Sequence, residues 1–463
     1  MTQPIKTASP KTNKPTKARQ LAFEALRAID RGAFADVVID RKLKGSQLSS
    51  QDRGLVTELV YGTVRRQRTL DALIDQFGKR PAAKQQADLL QILRIGFYQL
   101  RYLDHVPDHA VVDTTVQLAK SQRLGKLSGV VNGMLRQYIR EVKTEPDAVT
   151  DPLKLSENTT QQLGILHSYP DWIINVWRSM LPDDQVAALC RYFNQPPHLD
   201  LRINLQHQSR SAAAALFAEA GVETVPVEGV PSALRLTSHV GAVTQLPGYD
   251  QGWWAVQDSS AQLVSYLLDP QPEEVIIDAC AAPGGKSLHI AELMGNEGVV
   301  WSCDRTPSRT KKIQQNIDRL GATIVRPIMT DSRNQPTFVG QGDRVLLDVP
   351  CSGLGTLNRH ADARWRQTPE SARSLTTLQA EILNHASTWV KPGGVLVYAT
   401  CTLHPAENEA QIEAFLAQNT GWVIEAPPPS FAISPTEAGW IKVWPHRQHM
   451  DGFFMVKLRR ATT

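Results

Sequence analysis

The sequence predicts an all-helical N-terminal domain and a larger α/β domain built on a mainly parallel sheet, with a small α/β segment between them. Three observations carry this. Apolar residues recur at helical spacing from Ala18 to about Val142. The run Val275-Ile-Ile-Asp-Ala-Cys-Ala-Ala-Pro-Gly-Gly-Lys-Ser287 passes from a short apolar strand through a tight turn into the helical pattern Leu288–Leu293. After it, strand-like runs ending in Asp304, Asp331 and Asp348 alternate with helical patterns, as in a parallel α/β sheet.

The chain's 463 residues are enough for two or three domains with ample cores. A net charge of +4 is mildly basic and permits a nucleic-acid partner. No apolar run approaches the roughly 18 residues of a membrane helix, and no signal-peptide core follows Met1. Five scattered cysteines, with no C-x-x-C pair and no Cys/His cluster, argue against a disulfide framework and against a metal. A reduced, cytoplasmic protein is expected, with no membrane partner and acting as a monomer.

Residues 1–17 hold lysines and prolines and no acid, the composition of a disordered basic tail. Residues 18–145 read as helices. Leu21, Ala25, Leu26 and Ile29 share one face; Ser49-Ser-Gln-Asp52 caps the next periodic stretch; Leu89–Leu100 is apolar on most sides and suits a central helix. Arg65, Arg66, Arg68, Arg94 and Arg101 are candidates for an RNA-facing surface, with a solvated face as the equal alternative.

Glu145–Asn158 has the composition of a linker. Residues 160–248 form the small α/β segment: a helix after Pro170, a strand after Pro196-Pro197, a helix over 211–220, and strands near 223–226 and 233–237. Cys190 lies in an amphipathic helix and reads as a packed thiol. Residues 249–460 are the larger α/β domain.

The turn decides the ligand class. A phosphate-binding loop ending in Gly285-Lys286-Ser287 would need glycine at position 280, which is Cys280, and the dinucleotide pattern G-x-G-x-x-G is absent. An S-adenosyl-L-methionine site needs only a close backbone turn and carboxylates for ribose and amine. Asp304, 19 residues after Gly285, sits where a strand-tip acid reaches ribose hydroxyls, and Asp331 suits an adenine edge. Cys303 reads as strand packing.

Asp348 is followed by Val-Pro-Cys351-Ser-Gly-Leu-Gly, and the strand Gly393–Thr400 ends at Cys401. In an open parallel sheet both thiols should share one rim with the ligand. Paired thiols there suit methylation at carbon 5 of a pyrimidine. A thiolate added at carbon 6 makes carbon 5 nucleophilic, and loss of the carbon-5 proton then expels it. Asp348 would take up charge at ring nitrogen 3. A helix expected from Pro405 would aim its N-terminus at Cys401. These residues do not rank one thiol over the other.

The helical half resembles the NusB-like RNA-binding domain in Asp52–Gln67, Leu93–Leu100 and Gly129–Arg136, and the glycines of the last two stretches suggest close helix packing. The larger domain resembles the class I, Rossmann-like methyltransferases of the NOL/NOP/Sun RNA cytosine-C5 family. The carrying residues are Asp278-Ala-Cys280-Ala281-Ala282-Pro283-Gly284-Gly285-Lys286, Pro350-Cys351 and Thr400-Cys401. The resemblance implies cofactor binding by residues 280–286 with Asp304, Asp331 and Asp348. It also implies Cys401 as the nucleophile, Cys351 as the release residue, and 16S ribosomal RNA, the small subunit or an assembly intermediate as partner. Asn358-Arg-His-Ala-Asp362 departs from the family's usual Arg-Arg-His-Pro-Asp, and Thr402 replaces a common Ser; both changes are expected beside the site. Competing readings are the same chemistry on transfer RNA or another ribosomal site, and a non-catalytic RNA-binding assembly factor, which the intact turn and cysteines disfavour.

Overall fold

In a computed structural model, residues 16–142, 151–238 and 240–462 are described. The basic tail up to residue 15 and the start of the linker lie outside them. The chain divides into two compact units: residues 1–178 with 360–366, and residues 179–359 with 367–463.

The first unit is helical. Its long elements are Lys17–Asp30, Ala35–Lys44, Ser50–Arg65, Gln67–Phe77, Ala87–Tyr102, Asp108–Ser121, Ser128–Val142, Thr159–His167 and Asp171–Arg178. Ser49 and Asn158 begin two of them by accepting from Asp52 N and Gln161 N, which satisfies donors that a helix start leaves open. Ala87–Tyr102 is the central helix, with Leu89 and every residue from Gln91 to Gln99 buried. Gly96 lets it approach Leu135 and Thr115, where an added Cβ would come within about 3 Å of their methyls; Gly129 and Gly133 face open space, so the expected packing role holds on one helix only.

The arginines chosen as a possible RNA face are largely spent inside this unit. Arg65 and Arg94 are buried, and Arg94 grips Asp71 through two bonds of 2.7 and 2.8 Å. Arg68 pairs with Asp171 and Arg101 with Asp151, while Arg66 stacks over the Tyr102 ring. Arg65 and Arg94 are buried, so neither an RNA face nor a solvated face describes them; for Arg94 it is Asp71, on a neighbouring helix, that draws the charge inward.

Residues 159–178 group with this helical unit. Arg68 ties them down through Tyr169 O and Asp171, and Ser168 Oγ accepts from Arg68 N. A second piece comes from far along the chain. Asp362 accepts from Ala35 N, Trp365 Nε1 donates to Val64 O, buried Arg364 donates to Arg65 O and Ser168 O, and Arg366 stacks on Phe34. The departure at 358–362 therefore ends among residues of the helical unit.

Among the described residues, the second unit contains two sheets. Strands β1 (Leu199–Ile203), β2 (Thr224–Pro226), β3 (Ala233–Leu236) and β4 (Trp254–Val256) make an antiparallel sheet in the order β2-β3-β1-β4. Leu201, Ile203, Leu234 and Trp254 pack there against Ala213 and Phe217 of the helix Arg210–Glu219.

The larger sheet holds β5 (Val275–Asp278), β6 (Val299–Asp304), β7 (Val325–Met329), β8 (Gly342–Asp348), β9 (Val390–Thr400), β10 (Trp422–Ile424), β11 (Ile441–Val443) and β12 (Phe453–Arg460). The order is β10-β12-β9-β8-β5-β6-β7, with β11 on β12; β5 to β9 are parallel and β12 runs antiparallel to β9. Both faces are covered, so β8 is apolar without alternation: Leu346 joins one core, Val345 and Leu347 the other. The chain leaves β5 outward to β6 and β7, then returns to β8 on the opposite side. That reversal opens a crevice at the carboxyl ends of β5 and β8, where ligands of such sheets bind.

Candidate active site

Five strand ends deliver the site. Asp278 ends β5, Asp304 ends β6, Asp331 follows β7, Asp348 ends β8, and Thr400 ends β9 before Cys401. A cavity of about 330 Å³ is lined by Cys280, Ala282, Asp304, Asp331, Asp348, Pro350, Cys351 and Cys401. Ala281, Pro283, Gly284, Gly285 and Lys286 are not among its lining residues; they shape the turn behind it. Arg305, Arg309, Ser332, Arg333, Leu378 and Ile382 also line it, and the sequence reading did not select them.

The turn is set by its own backbone. Ala279 N donates to Leu346 O and Ala281 N to Cys303 O, so the chain leaving β5 is held to both neighbouring strands. The Ala282–Pro283 peptide is cis. Gly284 N then donates to Ala281 O, with Gly284 at φ +101° before the helix Gly285–Leu293. An L side chain there would be strained, and its Cβ would press on Ile313 at 3.3 Å. Arg202 of β1, itself buried, donates to Gly285 O at 2.7 Å and grips Glu292, bracing the turn from the small sheet.

Asp278 is fully buried and accepts from Ser287 Oγ at 2.6 Å. Burial pushes its carboxyl up to about 7 despite that bond. Lys286 reaches across to Asp348 Oδ2 at 2.6 Å and lies over the Phe453 ring. Burial alone would lower the ammonium, but the Asp348 carboxylate outweighs it and the group sits above its ordinary value. Asp304 accepts from Thr306 N and faces Arg309 at 3.8 Å. At the open rim Asp331 takes a forked grip from Arg333, whose hydrogen bonds hold the carboxyl down at about 2.

Cys351 and Cys401 are both half-buried, and their sulfurs lie 3.3 Å apart. The Cys401 sulfur, then burial, then the charge of Glu407 push the Cys351 thiol well above its ordinary range. Burial and the Asp278 charge do the same to Cys280, an unsuitable nucleophile. Cys190 and Cys303 are fully buried, as expected of packing residues. The two catalytic candidates sit on loops in backbone contact. Gly355 N donates to Cys401 O at 2.9 Å and Gly452 N to Gly355 O at 2.7 Å; a Cβ on Gly355 would collide with Gly452 O.

The helix expected from Pro405 is broken. Pro405–Glu407 is a single 3₁₀ turn, Asn408 is non-helical, and the α-helix starts at Glu409. Its first donor, Ala406 N, is taken by His404 Nδ1, so this turn does not aim a free N-terminus at Cys401. Glu407 and Gln379, both buried, hold the thiol loops instead. An isolated glutamate before a helical pattern carried no sign of that.

Three families match stretches of this chain. Residues 265–459 match the 16S rRNA methyltransferase RsmB/F family, residues 16–140 the NusB family, and residues 169–243 the ferredoxin-like domain of RsmF/B-like methyltransferases. A probable ribosomal RNA small subunit methyltransferase B from Synechocystis is 49% identical over 451 residues, covering 96% of this chain and 99% of that protein. Its counterpart from Bacillus subtilis is 34% identical over 454 residues, with the same coverage of both chains. The crystal structure of PH0851 superposes with a TM-score of 0.80 at 26% identity, over 96% of this chain and 99% of that one. Similarity of this extent, running through the helical and α/β parts alike, places the chain in the ribosomal RNA small subunit methyltransferase B family.

Proposed function

We propose that this protein transfers the methyl group of S-adenosyl-L-methionine to carbon 5 of a cytosine in 16S ribosomal RNA, with Cys401 as nucleophile and Cys351 assisting release. The observation that carries the reading is a pair of thiols 3.3 Å apart at a cavity that also receives the carboxylates of Asp304, Asp331 and Asp348. The cavity has the size and the few convergent polar groups of a small-molecule site. Its floor is a turn of small residues without the glycine cradle that phosphates require. When bound, the cofactor supplies an electrophilic methyl on sulfur. Residues 280–286 would pass beneath its methionine part, Asp304 would accept from the ribose hydroxyls, and Asp331 would face the adenine edge once Arg333 yields.

The thiolate of Cys401 would add to carbon 6 of the cytosine, moving the ring's electron pair toward carbon 5, which takes the methyl. Asp348, oriented by Lys286, would balance charge at ring nitrogen 3. Loss of the carbon-5 proton restores the double bond and expels the Cys401 thiolate. In this reading residues 18–145 are the RNA-binding domain, 160–248 the small supporting segment and 249–460 the catalytic domain. The substrate is 16S RNA free, in the small subunit, or in an assembly intermediate.

The test is transfer from labelled cofactor to unmodified 16S RNA, with the product base mapped. One 5-methylcytosine is the expected result. Methyl on another atom or base would overturn the chemistry, and methyl only on transfer RNA would overturn the substrate.

A further inference from the structure

We propose that Glu407 is a positioning residue for the thiol pair: it locks the Cys351 loop to the Cys401 loop and keeps Cys351 a neutral hydrogen-bond partner of Cys401. This rests on the roles given to the two cysteines above.

Glu407 is fully buried and is not among the cavity-lining residues, so it acts through others. Oε2 accepts from Ser352 N at 2.8 Å and from Gln379 Nε2 at 2.9 Å, and Oε1 accepts from Ser352 Oγ. Three accepted bonds are the pattern of an ionised carboxylate. Ser352, the neighbour of Cys351, has its hydroxyl 2.8 Å from Thr402 Oγ1, the neighbour of Cys401. Gln379, from the helix Pro369–Ser387, also donates to Pro350 O on the other side of Cys351. The main chain of Glu407 is fixed too, since its carbonyl accepts from Tyr398 OH of β9. One carboxylate thus ties both flanks of Cys351 to the loop that carries Cys401.

The charge has a second effect. Two ionised sulfurs at 3.3 Å would repel strongly in this half-buried site, so at most one of them carries charge at a time. A fixed anion beside Cys351 assigns the remaining proton there. The groups facing Cys351 are Cys401, Glu407 and the phenol of Tyr398, with the Lys286–Asp348 pair across the cavity; of these Glu407 is the anion nearest in the chain of bonds. A protonated Cys351 can donate its S–H to the sulfur of Cys401 as that sulfur leaves carbon 6, which a Cys351 thiolate cannot do.

Glu407→Gln separates charge from shape. The amide oxygen can still accept from Ser352 N and Gln379, while its nitrogen donates to Ser352 Oγ, whose proton turns to Thr402. The full-length variant is treated with iodoacetamide across a pH series, and alkylation of each cysteine is followed by peptide mass spectrometry. The expected result is a Cys351 profile moved about one pH unit lower or more, so that alkylation at neutral pH is about tenfold faster. Adduct with RNA should persist at lower pH than in the parent, with kcat reduced and KM for RNA unchanged. A Cys351 profile identical to the parent's overturns the electrostatic role. Ser352→Ala keeps the charge and removes the hydroxyl bridge: kcat should fall about five- to tenfold with the Cys351 profile unmoved. Unchanged kcat in this variant overturns the positioning role, even if Glu407→Gln proves too unstable to purify. Alkylation needs no RNA, so a moved profile in a protein that fails to methylate cytosine would overturn the methyltransferase chemistry while leaving the charge effect of Glu407 on Cys351 standing.

Discussion

At the turn end of the cleft many of the shaping bonds join residues close in the chain, beside ties to β6, β8 and Arg202, while at the thiol end the shaping bonds join residues far apart. Gly284 bonds Ala281, Ser287 bonds Asp278, Thr306 bonds Asp304 and Arg333 bonds Asp331. By contrast Ser352 and Glu407 are 55 residues apart, Gln379 and Glu407 28, and Gly355 meets both Cys401 and Gly452. The turn closes on itself through Gly284 and Ala281 and is braced by β6, β8 and Arg202. The thiol pair depends on β8, β9, the helix Pro369–Ser387 and the last loop being in register together. Damage at one end should therefore leave the other measurable.

The sharpest separation is Cys401→Ala. Turnover should fall by at least about 10⁴-fold, while calorimetry finds cofactor affinity unchanged; retained turnover would put the nucleophile elsewhere. Cys351→Ala should slow turnover by about 10²- to 10⁴-fold and trap protein on RNA as a band shifted in a denaturing gel. Absence of that band would remove the release role. From the opposite end, Gly284→Ala forces an L residue to φ +101°, a strain of about 1–2 kcal/mol. Cofactor affinity should weaken about tenfold while iodoacetamide reactivity at both cysteines stays the same; altered thiol reactivity would show that the two ends are coupled. Asp331→Asn should do least. Its carboxylate is at the open rim and already occupied by Arg333, so cofactor affinity should change by a few-fold and Tm by no more than that of a typical surface change, of about 0.5 kcal/mol. A loss as large as that of Gly284→Ala would mean Asp331 carries more of the binding than the rim position suggests.

The same contrast explains what could be read without coordinates. The turn was legible because Asp278 to Lys286 are contiguous and their residue types follow from backbone geometry. The carboxylates were legible because each closes an apolar run, and Cys401 because it follows one directly. Glu407 was not, because nothing near it in sequence says that Ser352 and Gln379 will converge on it. Nor was the fate of the arginines: Arg94 and Asp71 are 23 residues apart and Arg68 and Asp171 103, and such pairings leave no periodic trace. The break at Asn408 was hidden for another reason. Pro405 is a good first helical residue, but Asn408 is held out of helical conformation, its side chain accepting from Thr400 Oγ1 and donating to Thr402 O.

Residues 360–366 carry a consequence for how such a protein can be cut, exchanged or inherited. The chain crosses the boundary between its two units after Arg178, after Arg359 and after Arg366, so the helical unit is not one continuous stretch of gene. A fragment ending at Arg178 would lack Ala361 and Arg364 from its interior and the indole that meets Val64 O. Grafting a foreign helical domain onto this catalytic sequence would leave seven residues shaped for the old one. The two halves are bound to change together, through a short insert that a simple head-to-tail view of the domains would assign to the wrong partner.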